Sequence, residues 1–101
     1  MNPKHRPGAD VYEDAITELN TPRMYAVVIF NDDFTSMDFV VELLTKLFHK
    51  TTTDAAAIMM QVHKDGKGVA GVFTYDIAIT KKILADQMAA ERGFPLRTEV
   101  E

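Results

Sequence analysis

Three groups of residues in this 101-residue chain have types and spacings that chemistry can use. The first is Asn31-Asp32-Asp33, set directly after the apolar run Met24-Tyr25-Ala26-Val27-Val28-Ile29-Phe30. Side chains at the end of a rigid strand can converge on a ligand, here with one amide and two carboxylates as acceptors. The same triplet also makes an ordinary turn, and aspartates stabilise the first turn of a following helix. The second is His63, with Met59 one turn earlier and Val62 beside it. A neutral imidazole there can accept a hydrogen bond or act as a base, and it can equally be a plain structural or solvent-facing residue. The third is the methionine set Met37, Met59, Met60 and Met88. Thioethers fill core gaps, and they also suit a pocket that must adapt to varied side chains.

Asp32, Asp33 and His63 form a common ligand set for a metal, or an acid–base group, so a metal-dependent hydrolase is one reading. No nucleophile motif accompanies them. Gly66 and Gly71 lack the spacing and the following Lys-Ser/Thr of a phosphate loop. The absence of cysteine removes thiolate catalysis, disulfides and sulfur-ligated metals. A ligand-binding module and a plain protein-interaction module are the non-enzymatic alternatives. A formal charge of -4 argues against a general nucleic-acid binder, which carries a basic face. No apolar run approaches the roughly 20 residues that span a bilayer, so no membrane role is expected. The stretch Met1-Asn2-Pro3-Lys4-His5-Arg6-Pro7-Gly8 has a basic start without an apolar segment behind it, unlike a secretory signal. The expected setting is the cytoplasm.

The elements that must position these residues are legible from periodicity. Length predicts one domain. Residues 1–22, punctuated by Pro3, Pro7, Gly8 and Pro22 and acidic in their second half, read as a flexible N-terminal extension. Within it, Val11, Ala15, Ile16 and Leu19 have weak helical spacing, too short a stretch to be stable alone. Residues 23–101 form the core domain. Met24 to Phe30 is rich in β-branched and aromatic residues and predicts a central strand. Thr35 reads as the N-cap of a first helix, with Asp38 completing an approximate capping box and Phe39, Val40, Leu43, Leu44, Leu47 and Phe48 on one face. Thr51-Thr52-Thr53-Asp54 caps a second helix that Gly66 ends. Lys67 to Thr74 predicts a second strand. Tyr75 to Arg92 predicts a third helix with Ile77, Leu84 and Met88 on one stripe and Gly93 just beyond it. Pro95 stops that helix, and Leu96 to Val100 reads as a last strand. The order is β-α-α-β-α-β, an α+β arrangement.

Read in order, these blocks resemble the ClpS family. Tyr25 to Thr35, followed by Met37-Asp38-Phe39-Val40, is similar to the signature in which a strand runs into Asn-Asp-Asp-aromatic-Thr-Pro-Met. Met59-Met60-Gln61-Val62-His63 resembles its second block, and Gly66-Lys67, Gly71-Val72-Phe73-Thr74 and Pro95-Leu96 complete the pattern over about residues 24–100. The resemblance implies a three-stranded antiparallel sheet packed against three helices. It also implies an adaptor without enzymatic activity or cofactor, which binds a free N-terminus bearing Phe, Tyr, Trp or Leu. Such N-degron substrates are then handed to a Clp AAA+ unfoldase, ClpA-like or ClpC-like, working with its ClpP peptidase. The adaptor is expected to act as a monomer. By the same resemblance, Asn31, Asp32, Asp33 and His63 surround the α-amino group. Thr35, Met37, Val40, Met59, Val62 and Leu96 line the side-chain pocket, with Met37 as its gate. Asp76, Thr80 and Lys81 dock the unfoldase, and the N-terminal extension serves delivery. Two positions depart from the pattern: Ser36 stands where proline is usual, and Ile79 where an acidic residue often sits. The first is expected to loosen the start of the helix and the gate, the second to alter partner affinity.

Overall fold

The apolar, β-branched run Met24–Phe30 forms strand β1, and its pairing on both sides makes it the middle strand of the sheet. In the computed structural model, which describes residues 22–101, five elements follow it: α1 (Met37–Lys46), α2 (Thr52–Asp65), β2 (Lys67–Thr74), α3 (Tyr75–Glu91) and β3 (Arg97–Val100). Apart from Pro22, the N-terminal extension and its short helical stretch lie outside the described residues. The sheet order is β2-β1-β3, antiparallel throughout, so the expected fold is the observed one.

The β1–β2 ladder runs from Met24↔Thr74 to Phe30↔Lys67, with an irregularity at Val27/Val28 that leaves Ala70 unopposed. A bulge of this kind bends the strand and sharpens its twist. Gly71 sits at the bulge for a packing reason: a Cβ there would meet the Phe73 ring at 2.6 Å. The helices cover the face that carries Val27 and Ile29, which are fully buried with Leu43, Leu44, Phe39 and Val40 of α1. Burial of each such large apolar side chain contributes roughly 1.5–3 kcal/mol.

Helix α1 starts one residue later than the sequence predicts. Its N-cap is Ser36, whose hydroxyl accepts from the Phe39 N–H at 3.1 Å, while the Thr35 hydroxyl points back to Asp32. Ser36 therefore closes the first turn with a side-chain bond that proline cannot make. Thr51 caps α2 as predicted, accepting from the Asp54 N–H.

The inner face of α3 is made of alanines and is not the stripe of Ile77, Leu84 and Met88. Ala78, Ala85 and Ala89 are buried against the sheet, whereas Ile77 and Leu84 are 49% and 41% exposed; Met88 alone of the expected stripe packs on the core. Alanine lets the helix axis approach the strands closely, and larger residues on that face would hold it away. Tertiary ties then fix α3 laterally. Lys81 Nζ donates to the Leu47 carbonyl at the end of α1 (2.7 Å), and the Thr98 hydroxyl donates to Asp86 (2.7 Å).

Candidate functional site

Strand β1 stops at Phe30, and its ladder partner Lys67 is the first residue after α2 and its cap. That pairing brings the end of β1 to the end of α2. The Asn31 N–H donates to the Gly66 carbonyl at 2.8 Å, which fastens the two together. Gly66 is the left-handed cap of α2 (φ 86), and its own N–H donates to the Val62 carbonyl. A side chain there would carry the left-handed penalty of about 1–2 kcal/mol. His63 lies in the turn just before this cap, so one junction positions both Asn31 and His63.

The loop from Asn31 to Ser36 is braced from inside by Asp32. Its Oδ1 accepts from the Phe34 N–H (2.8 Å) and the Thr35 N–H (2.7 Å), and its Oδ2 accepts from the Thr35 hydroxyl (2.7 Å). Partial burial pushes the Asp32 carboxyl up, but these three hydrogen bonds together outweigh it and hold the group below the usual carboxylate range. Asp32 is thus a charged fixture of the loop. Three of the roughly four acceptor positions of a carboxylate are used, and the remaining one is on Oδ2.

Beyond the loop, Met37 begins α1 and Val40 lies one turn along it. Met59, Val62 and His63 stand on adjoining positions of one α2 face. These elements enclose a cavity of about 220 Å³. Asn31, Asp32, Asp33 and His63 form its polar end together with Thr35, and Met37, Val40, Met59 and Val62 form its apolar wall. Val40 and Val62 are buried, so the floor is apolar, while Asn31, Asp33, Met37 and His63 are exposed. Nine of the ten residues expected at a ligand site are brought together. The tenth, Leu96, is buried in the core and is not part of the lining. Sequence reasoning missed the division of labour among the polar residues. The Asp-x-x-Thr spacing of Asp32 and Thr35 is the signal that could have found it, since a carboxylate bonds backbone two and three residues on in such turns.

Among the described residues no cluster of three or more His, Cys, Asp and Glu side chains is arranged to hold a metal ion. Asp32, Asp33 and His63 share a cavity without forming such a set.

The second expected site lies elsewhere. Asp76 is in the first turn of α3, and the Thr80 hydroxyl donates to its carbonyl (2.8 Å), so both are exposed on one face. Lys81 turns away from them, towards the end of α1 and the Phe73 ring. Ile79 is half-buried. No helix among the described residues is long and apolar enough to cross a membrane.

Comparison with known proteins matches residues 20–99 to the family described as ATP-dependent Clp protease adaptor protein ClpS. The ATP-dependent Clp protease adapter protein ClpS of Acetivibrio thermocellus is 53% identical over 91 residues, covering 90% of this chain and 92% of that protein. The corresponding protein of Helicobacter hepaticus is 49% identical over 84% of this chain and 86% of its own length. Among solved structures, Agrobacterium tumefaciens ClpS2 bound to L-phenylalaninamide superposes with a TM-score of 0.76 at 36% identity, covering 79% of this chain and 96% of that one.

Proposed function

The chain belongs to the ClpS family of Clp protease adaptors, and from that premise we propose that its cavity binds the first residue of substrates that begin with Phe, Tyr, Trp or Leu. The observation that carries this reading is the joining of hydrogen-bond acceptors to an apolar wall within one cavity the size of one residue. An α-amino group, with a reference pKa of about 7.7–8.0, is largely an ammonium with three donors near neutral pH. The Asn31 side-chain carbonyl, a neutral His63 ring nitrogen and a carboxylate of Asp32 or Asp33 supply three acceptors and negative charge. The wall of Met37, Val40, Met59 and Val62 takes the side chain. A cavity of about 150 Å³ accommodates benzene, so about 220 Å³ suits one aromatic or leucine side chain with its amino group.

L-phenylalaninamide, the ligand of the Agrobacterium relative, has these parts: a free amino group, a benzyl side chain and an amide where the next residue would follow. That a relative of this fold binds such a ligand supports the reading for this chain. Binding and release need neither a reaction nor a cofactor, so the chain acts as an adaptor and not as an enzyme. Burial of the side chain and about 1.5–3 kcal/mol for each charge-assisted bond, set against association entropy, bring the net near the ~8 kcal/mol of a micromolar complex.

In the same proposal, residues 1–22 serve delivery, and Asp76 and Thr80 on the start of α3 meet a ClpA-like or ClpC-like unfoldase. Lys81 contributes by holding α3 against α1. The adaptor works as a cytoplasmic monomer. The decisive experiment is binding of labelled peptides that differ only in residue one, with and without N-acetylation. Tight binding is expected only of the free peptides that begin with Phe, Tyr, Trp or Leu; equal binding of their acetylated forms would overturn the assignment.

A further inference from the structure

We infer that Gly68 is a positioning residue that sets the depth of the side-chain pocket, and with it the balance between aromatic and leucine first residues; this rests on the ligand reading above. Gly68 is buried within β2, where it pairs with Ile29 of β1. Directly paired residues project to the same face of a sheet, so position 68 faces the helices together with Ile29. Glycine weakens a strand interior because it has no side chain to pack, and it often marks a place where another element comes close. Positive φ among the described glycines is confined to Gly66 and Gly93, so the backbone does not require glycine at 68. Space does. A Cβ there would lie 2.9 Å from Val62 Cγ2, with Gln61 Oε1 at 3.4 Å and the Ile58 carbonyl oxygen at 3.5 Å.

Val62 is the link from this contact to the site, because it also lines the cavity. Apolar carbons rest about 3.5–4.0 Å apart, so a methyl group on residue 68 would make Val62 yield by roughly 0.6–1 Å. A helical valine keeps one χ1 rotamer in about nine cases of ten, so its side chain does not simply swing aside. Val62 is buried, with β2 on one side and the cavity on the other. Whether the side chain or its helical turn moves, the displacement is away from β2 and into the cavity. In about 220 Å³, a floor raised in this way excludes the largest first residue most, so Trp suffers more than Phe and Phe more than Leu. Gly71, the other strand glycine with a close neighbour, meets Phe73 and Phe48, and neither lines the cavity.

The test uses labelled free-amino peptides that begin with Trp, Phe or Leu and are otherwise identical. They are titrated by fluorescence anisotropy into the full chain and its Gly68→Ala, Val62→Ala and double variants. Gly68→Ala is expected to lower the Trp-to-Leu affinity ratio about fivefold to tenfold, with Phe between. In the Val62→Ala background Cγ2 is gone, and the same substitution should move the ratio less than about twofold. A general loss of stability would weaken all three peptides alike and leave the ratios unmoved. An unchanged ratio in Gly68→Ala, or an equal change in the Val62→Ala background, overturns the inference while first-residue binding stands. If Gly68→Ala does not fold, the double variant decides: a folded protein with the ratios of Val62→Ala supports the contact, and any other result overturns it. Wild-type indifference to N-acetylation removes the first-residue reading and this inference with it.

Discussion

The two ends of strand β1, about 20 Å apart, present opposite kinds of surface. At the Phe30 end the chain folds into a concave site whose polar residues are held by the hydrogen bond that the Asn31 N–H donates to the Gly66 carbonyl and by those within the Asp32 turn. At the Met24 end, the start of α3 lies beside β1 through the Tyr25–Tyr75 edge contact (5.1 Å) and presents Tyr75, Ile77 and Thr80 outwards. The first surface is small, enclosed and prearranged, as recognition of a single charged group and side chain requires. The second is open, and recognition there depends on area. Both depend on the same sheet, which holds them at opposite ends of β1, the separation that the proposed two-partner role needs.

The sharpest way to break this contrast is to remove an acceptor at the concave end. Asn31→Ala or His63→Ala leaves a ligand ammonium partly unpaired and should cost roughly 2–5 kcal/mol of binding to a Phe-initiated peptide. Isothermal titration should show the loss with an unchanged circular dichroism spectrum, and retained affinity in both variants would remove them from the site. The next effect is at the brace. Asp32→Ala removes three hydrogen bonds and should cost roughly 1–3 kcal/mol of stability in urea unfolding, together with peptide affinity.

The same carboxyl sets a pH dependence whose sign follows from its lowered value in the folded protein. The unfolded chain takes up this proton first, near the ordinary Asp value of about 3.9, so the contribution is complete above that pH. It disappears as pH falls further, through the lower folded value. Asp32→Asn should flatten the acid side of the stability curve below about pH 4. An acid profile identical to that of the wild type would show that the turn does not depend on the charge.

Smaller effects concern selection at the mouth and contact at the far end. Met37→Ala should admit Ile- and Val-initiated peptides more readily, because the β-branched side chain is wide and stiff at Cβ and meets the gate first. Their affinities relative to a Phe peptide, measured by anisotropy, should rise about threefold to tenfold; unchanged ratios place the gate elsewhere. Asp76→Ala with Thr80→Ala should leave peptide affinity within about twofold, since exposed substitutions rarely exceed ±0.5 kcal/mol. It should slow degradation of an N-degron substrate by the reconstituted unfoldase and peptidase. If degradation is unimpaired, α3 is not the docking surface.

Local patterns alone were enough to place β1 over Met24–Phe30 and β2 over Lys67–Thr74, to cap α2 at Thr51 and to end it at Gly66. Each rests on interactions within a few residues: β-branched runs, side-chain caps and a glycine with positive φ. The resemblance to ClpS, carried by two blocks of distinctive residue types, named ten candidate site residues, and nine of them line one cavity. Three features belong to tertiary structure. Apolar residues occur all around α3, so its periodicity names no inner face, and close approach to the sheet selects Ala78, Ala85 and Ala89 over Ile77 and Leu84. Thr35 and Ser36 are equally good caps by type; the Asp32 carboxylate decides by engaging the Thr35 hydroxyl and leaving Ser36 at the helix start. The cavity itself exists because Phe30 pairs with Lys67 and Asn31 bonds Gly66, contacts between residues more than thirty positions apart that no local pattern encodes.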